Sequence, residues 1–166
     1  MNNSNTPTKR NTILGISPGT RTTGIAIFRQ RELVEYQVKT FAGKITKKKL
    51  LHVLNSVEVI MDRYAVDSVV LKIPKGKARS KDVQYIITGI EKMAADKGLQ
   101  FYRCTISDLK RVYSSDKKAT RKDLAEYLML NYPELSYIEH SGYNKHAYYG
   151  KMFEAIAAGM QININN

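Results

Sequence analysis

Ile13-Leu14-Gly15-Ile16-Ser17-Pro18-Gly19-Thr20-Arg21-Thr22-Thr23-Gly24 is the stretch on which the reading of this chain turns. Thr12 to Ile16 is a short apolar run that predicts a strand, broken by a turn rich in Gly, Ser and Pro. A second strand is expected over 23–28 and a third over 33–40. Only Arg29-Gln30-Arg31-Glu32 separates those two, so they should form an antiparallel hairpin.

Downstream, the hydrophobic period changes. Leu50, Val53, Leu54, Val57, Ile60 and Met61 recur at helical spacing and predict a helix over about 46–64. Ser68-Val69-Val70-Leu71 is uniformly apolar apart from its first residue, as expected of a strand covered on both faces. A second helix is expected over 80–97, closed by Gly98, and a fifth strand over 100–104. Ser107 is placed to cap a short helix through Val112. Thr120, with Asp123 three residues on, is placed to cap another that runs to Asn131. Residues 133–146 look irregular, and a last helix is expected over 147–160. Three hairpin strands followed by alternating helices and strands predict an α/β fold: a central mixed five-stranded sheet with helices on both faces. Residues 1–11 read as a disordered tail and 12–162 as a single domain.

Composition narrows the function. The 166 residues include 27 Lys and Arg against 15 Asp and Glu, a net charge of +12 that favours a polyanionic partner, DNA or RNA alike. The basic residues are clustered. Residues 72–81 hold Lys72, Lys75, Lys77, Arg79 and Lys81 with no acid between them, and 117–122 hold Lys117, Lys118, Arg121 and Lys122. Lys110 and Arg111 precede the second cluster. Tyr113, Tyr143, Tyr148 and Tyr149 lie near basic residues, where they can stack on bases or simply pack. No apolar run approaches the ~18–20 residues of a membrane span, and the polar segment 1–11 lacks a signal-peptide core. The single cysteine, Cys104, allows no internal disulfide and suits a reducing cytoplasm. His52, His140 and His146 lack the spacing of a zinc site, and no histidine pattern supplies a base for Ser17 as a nucleophile.

Three stretches resemble the RuvC family of Holliday-junction resolvases, within the RNase H-like superfamily. They are the opening motif 13–24, the segment from Asp108 to Leu124, and Glu154-Ala155-Ile156-Ala157-Ala158. The resemblance implies an RNase H-like fold, branched-DNA binding, a homodimer, and two divalent metals held by carboxylates from the first strand, the central strand and the last helix. This sequence departs from that pattern. The family positions fall at Ser17, Lys72, Lys151 and Glu154, of which only Glu154 keeps a carboxylate. A shift in alignment does not restore the first, because residues 9–31 contain no Asp or Glu. A lysine ammonium ~4 Å from Mg²⁺ is repelled by ~8 kcal/mol at an effective dielectric of 20, and by ~2 kcal/mol in water. The expectation is therefore a binder of branched or structured DNA without catalytic residues, metal ligands or cofactor. Two placements of Lys72 follow from this. In one it fills the metal position and pairs with Glu154. In the other it joins Lys75, Lys77, Arg79 and Lys81 along an exposed edge.

Two alternatives remain at the level of sequence. One is an active Mg²⁺- or Mn²⁺-dependent junction endonuclease with a rearranged site built from Glu154, Asp67 and Glu139. The other is a protein-interaction scaffold. The opening turn is also similar to the phosphate loop of actin-like and chaperone ATPases, which need two such lobes and many more residues.

Overall fold

The computed structural model describes residues 11–75, 80–114, 118–141 and 145–165. Of the expected tail at 1–11, residues 1–10 lie outside these residues. Strand β1 (Thr12–Ser17) pairs antiparallel with β2 (Thr22–Arg29), which pairs antiparallel with β3 (Glu32–Thr40). The β2–β3 turn is tight, with Gln30 and Arg31 both at positive φ, as a two-residue hairpin turn of primed type requires.

Helix α1 (Lys47–Arg63) returns the chain so that β4 (Ser68–Lys72) lies parallel beside β1. Helix α2 (Lys81–Asp96) does the same for β5 (Gln100–Cys104), giving the sheet order β3-β2-β1-β4-β5. Thr46 and Ser80 cap these helices by accepting from the backbone N–H three residues on. Gly98, at φ +67°, reverses the chain after α2.

Helix α3 (Ile106–Tyr113) corrects one expectation: Thr105, not Ser107, is its cap. The Thr105 side chain accepts from the Asp108 N–H while the Asp108 carboxylate accepts from the Thr105 N–H, a reciprocal box that Ser107 has no acidic partner to build. Helix α4 (Arg121–Asn131) starts with the same device, from Thr120 and Asp123. Residues Pro133–Ser141 form a 3-10 helix rather than an irregular stretch, and the burial of Leu135 and Ile138 in the core explains the order there. Helix α5 (Lys145–Asn165) is longer at both ends than its apolar pattern predicts.

Strand alternation divides the core in two. Leu14, Ile16, Ile25, Ile27, Val69 and Leu71 face α1 and α2. Ile13, Ala26, Phe28 and Val70 face the layer of α3, α4 and α5. Ser17 and Lys72 continue that second face, two residues on from Gly15 and from Val70. Helix α5 lies close against the sheet because the sheet residues beneath it are glycines. A Cβ at Gly15 would run into the Ala155 carbonyl, and one at Gly24 into the Lys151 carbonyl.

Candidate functional site

The β1–β4 register matches Ile16 to Leu71, so the next residues, Ser17 and Lys72, end side by side on the face beneath α5. Helix α5 brings Glu154 over them. The Ser17 hydroxyl donates to Glu154 Oε2 at 2.6 Å, and Lys72 Nζ lies 3.1 Å from the same oxygen. The Lys72 and Glu154 side chains are 11% and 3% exposed, so this is a buried ion pair. Lys72 is thus drawn into the fold and does not join the exposed basic edge.

Lys151 lies three residues before Glu154, one helical turn away on the same face. Its Nζ donates to the Pro18 carbonyl at 2.9 Å. The turn it touches is held by Thr23, whose hydroxyl donates to the Gly19 carbonyl at 3.1 Å and accepts from the Gly19 N–H. On the other side, the Arg121 guanidinium of α4 lies 3.7 Å from Glu154 Oε1.

Three cations therefore surround one carboxylate. Burial pushes the Glu154 carboxyl up, but Lys72, the Ser17 hydrogen bond and Lys151 together outweigh it and hold the group below its usual range. Lys151 is lowered, chiefly by burial. Glu154 opposes that shift, and Lys72 and Arg121 add to it. The Cys104 thiol is pushed up to about 12, first by burial and then by Asp108, so it is no nucleophile at neutral pH.

This donor set does not fit a divalent metal. Mg²⁺ requires several hard oxygen ligands. Here one carboxylate oxygen is already engaged by an ammonium and a hydroxyl. Among the described residues, no three His, Cys, Asp or Glu side chains converge. Asp67, a candidate for a rearranged site, sits at the opposite end of the sheet. Its carboxylate accepts from the Thr12 N–H at 2.9 Å, ~16 Å along β1 from Ser17. The side chain of Glu139 lies outside the described residues.

The expected nucleic-acid contacts are distributed unevenly. Lys75, Lys81, Arg111, Lys118, Arg121 and Lys122 are exposed, and Lys110 is partly so. Arg111 pairs loosely with Asp108 at 3.7 Å, and Lys122 with Glu126 at 3.7 Å. Lys77, Arg79 and Lys117 lie outside the described residues, as does Tyr143. Tyr113 is half-buried and donates to the Thr120 carbonyl, whereas Tyr148 is exposed. Sequence reasoning missed two contacts at the site: Lys151 on the Pro18 carbonyl, and Arg121 reaching back to Glu154. The i, i+3 spacing of Lys151 and Glu154 carried a signal for the first, and nothing in the sequence carried one for the second.

A family model described as crossover junction endodeoxyribonuclease RuvC matches residues 13–125. The chain belongs to the RuvC family. The fold agrees with solved RuvC structures. One is Thermus thermophilus RuvC in complex with Holliday junction substrate, at TM-score 0.70 and 12% identity, covering 93% of this chain and 96% of that one. Another is a Thermus thermophilus RuvC structure at TM-score 0.66 and 14% identity, covering 90% and 91%. No curated protein matches. RuvC family members are metal-dependent endonucleases of the RNase H-like superfamily. The resemblance drawn from the sequence led to carboxylates being expected at Ser17, Lys72 and Lys151, and this chain carries none of the three. Among the described residues, no helix is long and apolar enough to cross a membrane.

Proposed function

We propose that this chain binds branched DNA, four-way junctions in kind, and does not hydrolyse it. The observation that carries the reading is the buried Lys72–Glu154 ion pair, 3.1 Å long, which occupies two positions at which the resemblance to the family led to carboxylates being expected. The Lys72 ammonium takes the place of metal charge as the counter-ion of Glu154. Arg121 and Lys151 leave the cleft with a positive surplus that suits a phosphodiester. The net charge of +12 and the exposed Lys75, Lys81, Lys118 and Lys122 support extended phosphate contact. Such contacts position a duplex arm without reading its sequence, so selectivity comes from the shape of the branch. The family relative in complex with a Holliday junction substrate supports the same partner. Family members act as dimers, so two chains per junction is the stoichiometry to look for.

The test pairs binding with cleavage on one four-way junction, with linear duplex as control, in EDTA and in Mg²⁺ or Mn²⁺. The expected result is salt-sensitive, junction-selective binding with intact DNA in every metal. Metal-dependent cuts that vanish in Glu154→Ala would overturn the non-cleaving reading. Equal and weak binding to all DNA would overturn the junction reading and leave the fold as a scaffold.

A further inference from the structure

Beside the ion pair, between α4 and α5, lies a cavity of about 260 Å³. This is just below the ~300 Å³ at which sites for drug-sized ligands begin. Its apolar wall is made by Leu124, Ala125 and Phe153. Its mouth is flanked by Arg121 and Lys122, whose side chains are largely exposed. Glu154 contributes the acidic group of the lining. Its Oε2 is taken by Ser17 and Lys72, while Oε1 has Arg121 at 3.7 Å, too far for a good hydrogen bond.

The seventh lining residue is Gly150, in the interior of α5. Glycine is a poor choice within a helix, and packing normally explains it. It does so at Gly159, where a Cβ would strike the Phe28 ring. At Gly150 a Cβ would meet nothing within 4 Å. The backbone does not require glycine there either, since among the described residues Gly43 and Gly98 are the glycines at positive φ. The glycine keeps open a space that no described side chain fills.

We infer that this cavity receives a single unpaired nucleobase from the branch point of bound DNA. The apolar wall covers the ring, Glu154 Oε1 accepts from a base amino group, and Arg121 and Lys122 hold the flanking phosphates. The chemistry favours bases with an exocyclic amine, adenine, cytosine or guanine, over an abasic sugar. The inference rests on the proposed junction binding.

The experiment compares wild type, Gly150→Ala and Gly150→Leu on three DNAs. These are a junction with one unpaired nucleotide at the crossover, the same junction abasic at that nucleotide, and linear duplex. A leucine is a better helix former than glycine and fills the cavity without removing a charge. Wild type and Gly150→Ala should bind the junction with the base roughly tenfold more tightly than the abasic one, as expected for one accommodated base. Gly150→Leu should lose that difference and keep wild-type affinity for duplex. The wild-type comparison stands even if the leucine variant folds poorly. Equal wild-type affinity for base and abasic junctions would overturn the inference while leaving junction binding intact. No junction binding at all would overturn both.

Discussion

Replacing Lys72 by methionine removes the charge and keeps most of the length of the side chain. At 3.1 Å the Lys72–Glu154 attraction is ~5 kcal/mol at an effective dielectric of 20. Both groups are buried, so solvent does little to screen it. The Ser17 hydrogen bond and Lys151 remain after the substitution and offset part of the loss. The expected destabilisation at pH 7 is ~3 kcal/mol, the lower end of the range for orphaning one partner of a buried pair. For a domain of this size that lowers Tm by ~6–12 °C.

The pH dependence separates this account from simple loss of packing. In the wild type the Glu154 carboxyl is held below its usual range, so its contribution is present above the unfolded value of ~4.3. That contribution is lost as pH falls through the lower folded value. Without Lys72, burial should dominate and raise the carboxyl. The variant's deficit should then be largest at neutral pH and shrink as the pH is lowered and the group protonates. Urea denaturation followed by circular dichroism at pH 7.5 and pH 4.5 measures both. The double variant Lys72→Met with Glu154→Met should recover most of the loss, because an apolar pair of similar volume is often neutral in such a place. A deficit under ~1 kcal/mol at pH 7.5, or one that does not change with pH, would refute the argument that the pair is coupled through buried charge.

Other outcomes follow from the same geometry. Gly15→Ala should destabilise by ~2–3 kcal/mol or more, read by thermal melting, because the added methyl meets the Ala155 carbonyl rather than a movable side chain. Thr105→Ala removes the α3 capping box and should cost ~1 kcal/mol by urea denaturation. Asp108 in that box is lowered chiefly by the Thr105 backbone hydrogen bond, so its contribution should be lost as pH falls through its depressed folded value. Wild-type Tm should not respond to millimolar Mg²⁺. The double variant Ser17→Asp with Lys72→Glu, which places two further carboxylates beside Glu154, should gain several degrees with the metal, measured by scanning fluorimetry. Lys81→Ala should flatten the slope of log affinity against log salt by ~1, if that exposed lysine contacts a phosphate.

Much of the fold was legible because its local signals agree. The short apolar run of β1, the short connection between β2 and β3, the uniform apolar run of β4 and the cap at Thr120 each point to the observed element. The expectations that failed did so where side chains compete locally or where burial comes from distant elements. Ser107 and Thr105 are both good caps, and the acidic partner at Asp108 decides between them. Residues Pro133–Ser141 look polar, yet Leu135 and Ile138 anchor them in a core made by other segments.

The same division runs through the candidate site. Sequence alone determined that the first strand and its turn carry no acid, that the central strand ends in lysine, and that one glutamate remains on the last helix. Those are facts of residue identity, and no folding can change them. Only the tertiary structure decided that Ser17 and Lys72 meet on one oxygen of Glu154, that Lys151 reaches the Pro18 carbonyl, and that Gly150 borders an open cavity. Those contacts join residues up to 137 apart in the chain. They depend on the parallel register of β1 with β4 and on the close seating of α5 over Gly15 and Gly24. Register and seating are set by the packing of the whole sheet against its helices, and local sequence does not encode that distance.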